Sequence, residues 1–131
     1  RARIAGIFIK DGKILLVKGK GHKELWTVGG KVENNETDEE CLRRELKEEI
    51  GVSISDMKFY KKYFVTSFYH SATSYEKRFY IISIMGDIKP DAEIEDFIWL
   101  SKDDFYSKKY PMTTHTEKEL LPDLIKDGIW Q

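Results

Sequence analysis

The chain has little with which to brace a fold covalently: one cysteine, Cys41, in 131 residues. A single thiol closes no internal disulfide, so the disulfide-dense secreted scaffolds are excluded. Proline is scarce as well. Pro90, Pro111 and Pro122 are scattered, and no Pro/Gly-rich linker, internal repeat or low-complexity tract interrupts the chain. No run of about 18 apolar residues is present, which excludes a membrane-spanning helix. The apolar stretch from Ile4 to Ile9 is too short for a secretory signal and has no small-residue cleavage site. Charge of one sign is missing too: 22 Lys+Arg face 23 Asp+Glu, a net of −1. That balance supplies no general electrostatic reason to bind nucleic acid or an anionic membrane. What is present is a composition 40% hydrophobic and 13% aromatic, suited to a globular core. One domain over residues 1–131, cytoplasmic and free of membrane, is the expectation.

Local patterns sketch the elements. Ile4-Ala5-Gly6-Ile7-Phe8-Ile9 reads as a buried strand, and Asp11-Gly12 as the turn of a hairpin returning through Lys13-Ile14-Leu15-Leu16-Val17. A Gly/Lys-rich loop, Lys18 to Lys23, precedes Leu25-Trp26-Thr27-Val28 and the pair Gly29-Gly30. Thr37-Asp38-Glu39-Glu40 has the form of a capping box. Leu42, Leu46 and Ile50 follow at helical spacing, with Gly51 as the stop. Met57–Phe68 and Lys77–Ile88 read as an antiparallel strand pair joined through His70–Ser74, and Ile98-Trp99-Leu100 as one further strand. A second capping pattern at Thr116-Glu117-Lys118-Glu119 predicts a last helix ending before Gly128. Strands, helix, strands, helix pack most naturally as an α/β fold of the α+β type, a mixed sheet covered by helices.

On a helix over residues 37–50, Leu42, Leu46 and Ile50 share an arc of about 80°. Glu45, Glu48 and Glu49 share a neighbouring arc of about 100°. Three carboxylates at i, i+3 and i+4 beside a buried stripe repel one another and resist ionisation. A hard divalent cation removes both difficulties, because Mg²⁺ takes oxygen ligands and joins carboxylates to substrate phosphates. The charge distribution agrees: residues 30–52 hold 8 acidic and 4 basic side chains, the rest of the chain 15 and 18. A locally acidic segment sits in a mildly basic remainder.

Gly30, Glu36, Arg44-Glu45-Leu46, Glu48-Glu49 and Gly51-Val52 fill every fixed position of the pattern G-x₅-E-x₇-R-E-U-x-E-E-x-G-U, where U is apolar. This segment, residues 30–52, resembles the Nudix hydrolase signature. Lys13 to Val17, Trp26, Gly29-Gly30 and the acidic segment before Trp99-Leu100 extend the likeness over most of the chain. The resemblance implies an α/β/α sandwich with a central mixed sheet. It also implies hydrolysis of a nucleoside diphosphate linked to a group X, with Mg²⁺ or, in its place, Mn²⁺. It further implies that Glu45 and Glu49 are the principal metal ligands, Glu48 a further ligand or base, and the Gly29 carbonyl the backbone ligand. Arg44 is the residue that orients the carboxylates, Glu36 has a structural role, and Glu93, with Glu95 as its rival, is a general base or ligand. Dimers are common in the family.

For the substrate, Trp26-Thr27-Val28-Gly29-Gly30-Lys31-Val32 is similar to the matching stretch of MutT-type triphosphatases. That favours a nucleoside triphosphate, a small-molecule partner, released as monophosphate and pyrophosphate. Dinucleoside polyphosphates, ADP-ribose and a non-catalytic nucleotide-sensing role are the alternatives. The acid pair that reads oxidised purines after a Trp-Pro has no counterpart in Tyr110-Pro111-Met112-Thr113-Thr114, which points away from that specificity. Tyr69 lies near the tyrosine position of dinucleoside-polyphosphate hydrolases. Lys18, with Lys20 and Lys23, Trp26, Arg78 and Tyr110 are the candidate substrate contacts. Tyr60, Phe64, Phe68 and Tyr80 alternate where a base can stack, although core packing accounts for most of them. His22, His70 and His115 lack metal-ligand spacing and read as loop residues, and Cys41 as a small packed side chain rather than a nucleophile.

Overall fold

Two short sheets share the core, and the chain crosses between them early. The computed structural model describes residues 2–67 and 73–131. In chain order the strands and first helix are β1 (Ala2–Ile7), β2 (Ile9–Lys10), β3 (Lys13–Gly19), β4 (Leu25–Trp26), β5 (Gly29–Lys31) and α1 (Asp38–Ile50). There follow β6 (Ser53–Ser67), β7 (Thr73–Met85), β8 (Ile94–Leu100), α2 (Lys102–Tyr106), one π-helical turn (Thr116–Leu120) and α3 (Leu121–Lys126). The first sheet runs β5-β1-β7-β6; β1 and β7 are parallel and the other pairs antiparallel, so the sheet is mixed. In the second, β3 is central, with β8 along one edge and β2 and β4 on the other.

Helices cover both faces. Leu42, Leu46 and Ile50 of α1 pack with Ile4, Val28 and Ile82 on one side. Leu120, Leu121, Leu124 and Trp130 pack with Ala5, Leu16 and Phe79 on the other. This is the expected α/β/α sandwich. The capping box is built as the sequence predicts: Glu40 N–H donates to Thr37 Oγ1 at 3.1 Å and Thr37 N–H to Glu40 Oε1 at 2.9 Å. Gly51 closes α1 at φ 71°, a left-handed value suited to glycine.

Several expectations need correction. The first strand ends at Ile7, because Phe8 is where the chain passes to the other sheet. The paired strands begin at Ser53 and Thr73, earlier than Met57 and Lys77, and β8 begins at Ile94. Thr116 is not a helix cap: helical turns begin at Thr114, and the buried Thr116 hydroxyl meets that of Thr113 at 2.7 Å. The π turn there has a cause in the sequence. Pro122 has no N–H to continue an α ladder, and Leu121 N–H instead reaches back to the Thr116 carbonyl. The segment before it also carries structure: Leu25 N–H donates to the Pro111 carbonyl at 3.0 Å and Thr113 N–H to the Leu25 carbonyl at 3.1 Å, which lays residues 111–113 along β4. Phe68, Tyr69 and His70, and most of the connection His70–Ser74, lie outside the described residues. Among the described residues no helix is long and apolar enough to cross a membrane.

Candidate active site

The C-terminal half of α1 delivers its carboxylates to the turn between β4 and β5. Gly29 adopts φ 151°, and its N–H donates to Glu49 Oε1 at 3.3 Å. Glu45 packs its carboxylate directly on the Cα of Gly30. Glu49 is thereby sunk in the protein. Burial first, and then the like charge of Glu45, push its carboxyl up to about 7, against the lowering effect of the Gly29 N–H. Burial also raises Glu45, while Arg44 pulls the other way.

Arg44 is the hub of this arrangement. Its Nε and Nη2 grip Glu36 at 2.6 and 2.9 Å, Nη1 donates to Glu45 at 2.9 Å and to Glu48 at 3.5 Å, and Nη2 reaches the Lys31 carbonyl at 3.1 Å. The bidentate bond holds the Glu36 carboxyl down to about 2. Glu36 thus anchors the guanidinium, and the guanidinium orients the helix carboxylates. Cys41 is fully buried and donates to the Lys31 and Gly30 carbonyls at 3.4 and 3.6 Å. Burial pushes its thiol up to about 11, the opposite of what a nucleophile needs.

Around this corner lies an open cleft of about 770 Å³. Glu45, Glu48, Glu49, Arg44 and Gly29 form one wall, Trp26, Gly19, Lys20 and His22 another, and Ala92-Glu93-Ile94 the rim. The rim is tied down at both ends: Asp91 N–H donates to the Glu49 carbonyl at 2.9 Å and Lys20 N–H to the Glu93 carbonyl at 2.8 Å. Glu93 is exposed there and raises the Glu49 carboxyl by its charge. Its rival Glu95 turns away to pair with Lys18 at 3.3 Å.

The substrate candidates scatter. Trp26 lines the cleft, with His22 against its ring at 5.6 Å and its Nε1 buried without a partner among the described residues. Lys18, Lys23 and Tyr110 instead line a second hollow of about 250 Å³ with Leu25, Phe97 and Pro111. The Arg78 guanidinium is engaged by Asp38 at 2.7 and 2.8 Å and by Glu76, and it does not line the cleft. Tyr60 and Tyr80 are likewise hydrogen-bonded to Asp127 and Asp38, and Phe64 is 71% exposed, so none lines the cleft. His115 is no loop residue but is buried against Phe79. Sequence reasoning missed Arg3, whose Nη2 donates to the Gly29 carbonyl at 3.3 Å, and Lys31, both of which line the cleft. Only the strand register, which sets Arg3 opposite Lys31, brings them to the site.

The NUDIX domain family model matches residues 1–124. The chain belongs to the Nudix family. An 8-oxo-dGTP diphosphatase from Buchnera aphidicola subsp. Schizaphis graminum is 42% identical over 67 residues, 47% of this chain and 52% of that relative. The NAD-capped RNA hydrolase NudC of Vibrio atlanticus is 36% identical over 92 residues, 68% of this chain and 33% of that relative. The chain thus spans about half the length of the first and a third of the second. The solved MutT NUDIX hydrolase from Burkholderia pseudomallei superposes with a TM-score of 0.77 at 23% identity, covering 88% of this chain and 92% of that one. At that identity the likeness shows the shared Nudix fold.

The Nudix corner suits a divalent cation. Its donors are hard oxygens, and two of them are carboxylates whose charge is opposed by burial and by each other. Glu49 and Glu45 both lie against the Gly29-Gly30 turn, whereas Glu48 is turned to Arg44 and largely exposed. Accordingly, no three acidic, His or Cys side chains form a ready-made metal cluster among the described residues. One consequence is measurable without substrate. Folded Glu49 keeps its proton up to about pH 7, while the unfolded chain releases it near 4.5. In chelator, this group's contribution to stability is full below that lower value and is lost as pH rises to about 7. Thermal scans across that window should show a falling Tm that is flatter in Glu49→Gln; equal slopes would refute the assignment.

Proposed function

We propose that this chain is a divalent-metal-dependent nucleotide pyrophosphohydrolase that converts a nucleoside triphosphate to its monophosphate and pyrophosphate. The observation that carries the reading is the pair of sunken carboxylates, Glu45 and Glu49, held against Gly29-Gly30 at the edge of a cleft flanked by cations. Glu45, Glu49 and the Gly29 carbonyl would hold the metal, with Glu48 as a further ligand. When bound, Mg²⁺ neutralises phosphate oxygens and lowers the pKa of a water. Arg44 fixes the carboxylates through its bonds to Glu36 and Glu45. Glu93, exposed on the rim facing Glu49, accepts the proton of the attacking water. Arg3, Lys20 and Lys31 meet the phosphates, and Trp26 walls off the cleft. The 8-oxo-dGTP diphosphatase among its relatives supports this choice of substrate.

The test is a screen of nucleoside triphosphates, ADP-ribose and dinucleoside polyphosphates with Mg²⁺ and Mn²⁺, identifying both products. Monophosphate and pyrophosphate are expected from at least one triphosphate, with no turnover in chelator. Saturating Mg²⁺ at about 100 times its Kd should also stabilise the fold by about 2.7 kcal/mol. Orthophosphate as the first product, or full turnover in chelator, would overturn the reading. Tight nucleotide binding without cleavage under either metal would favour the sensing role.

A further inference from the structure

On the sheet face away from α1, the register lines up four side chains across four strands. Arg3 pairs with Lys31 on one side and with Lys77 on the other, and Lys77 pairs with Tyr63. Three cations abreast repel one another, a poor choice for stability alone. Lys77 is the worst placed. It is 6% exposed and forms no ion pair among the described residues; its Nζ lies 5.1 Å from the Phe79 ring, and Glu119 supplies an attractive charge. Burial and the charge of Arg3 push its ammonium down to about 7.

Beside it stands His115, wedged between the Tyr63 ring at 4.5 Å and the Phe79 ring at 5.7 Å. It is 7% exposed, and both ring nitrogens are buried with no hydrogen-bond partner among the described residues. Buried polar groups are ordinarily paired. An unpartnered imidazole with a buried ammonium nearby, in a row that begins at the cleft with Lys31 and Arg3, is what a ligand completes.

We propose that Lys77 and His115 determine base specificity, selecting a nucleotide whose base carries a ring carbonyl, of guanine or uracil type, over adenine. This rests on the nucleoside triphosphate reading above. With the phosphates at Lys31 and Arg3, the nucleoside extends along the row toward Lys77. An ammonium donates well to the O6 of guanine or the O4 of uracil. The neutral imidazole offers one donor and one acceptor, which suits a ring N–H beside a carbonyl. Adenine instead presents an amino group, a donor facing a donor.

The experiment compares wild type, Lys77→Met and His115→Phe, which keeps the aromatic packing. Hydrolysis of GTP, UTP and ATP with Mg²⁺ is measured alongside metal-free equilibrium binding of GMP and AMP. Wild type should prefer GTP and UTP. Lys77→Met should lose about 10- to 100-fold in kcat/KM for those two, mainly through KM, and leave ATP near its original value. GMP binding should weaken by the same factor and AMP binding hold, with His115→Phe shifting the GMP:AMP ratio in the same direction. A wild-type preference for ATP, or a ratio unmoved by either variant, would overturn the inference. If wild type cleaves no triphosphate, the hydrolytic reading fails, while the GMP:AMP ratio still decides base selection.

Discussion

Glu49→Gln is expected to lower kcat for the best nucleotide by about three orders of magnitude while raising the melting temperature of the metal-free protein. The two effects have one origin. The Glu49 carboxylate is sunk at the end of α1, opposed by burial and by Glu45, and supported by a single N–H from Gly29 at 3.3 Å. Glutamine has nearly the same volume and still offers that N–H an oxygen. It therefore removes a costly charge without opening a cavity, a gain of about 1 kcal/mol at pH 8 once solvent screening is allowed for. The same neutralisation takes away the ligand charge on which a divalent cation depends. Steady-state kinetics with Mg²⁺ and thermal scans in chelator read the two sides. A variant that turned over normally, or that melted earlier in chelator with kcat intact, would show Glu49 to be an ordinary packing residue.

The parts of this protein that were legible in sequence are those set by short-range rules. Thr37 to Gly51 announces itself by a cap, a helical stripe and a stop, and the structure builds all three. The carboxylate arc was legible for the same reason, because spacing along one helix places Glu45, Glu48 and Glu49 without any tertiary information. Arg44 binds residues within the same segment, Glu36 among them, so its position followed from the motif. What failed depends on contacts distant in sequence. Arg3 reaches the cleft through strand register, and Arg78 is drawn off by Asp38, 40 positions away. Lys18 and Lys20 differ by two residues, yet one pairs with Glu95 and the other lines the cleft, across a register shift at the end of β3. The π turn ahead of Pro122 defeated the second capping pattern, since a local box cannot foresee that turns begin at Thr114.

Gly29 and Gly30 are adjacent, yet alanine at each should fail in opposite ways. At Gly30 an added Cβ would overlap the Glu45 carboxylate and nothing else so closely. The obstacle is the far end of a flexible side chain, and Gly30 has no left-handed φ to preserve. Gly30→Ala is therefore expected to fold with a loss of about 1 kcal/mol or less. Glu45 must swing out of its place, abandoning both the Gly30 contact and its ion pair with Arg44. Activity should fall about 100-fold or more, with a matching loss of Mg²⁺-induced stabilisation. At Gly29 the added Cβ would overlap the Ile4 carbonyl and the Ala5 Cα, which are backbone atoms of β1 in the middle of the core. The residue also holds φ 151°, a conformation L side chains resist. Gly29→Ala thus has no side chain to push aside and should destabilise the fold by about 3 kcal/mol or more. Chelator-treated samples of both variants, melted side by side and then titrated with Mg²⁺, separate the outcomes. The assignment of Glu45 to the metal would not survive a Gly30→Ala variant with wild-type Mg²⁺ response.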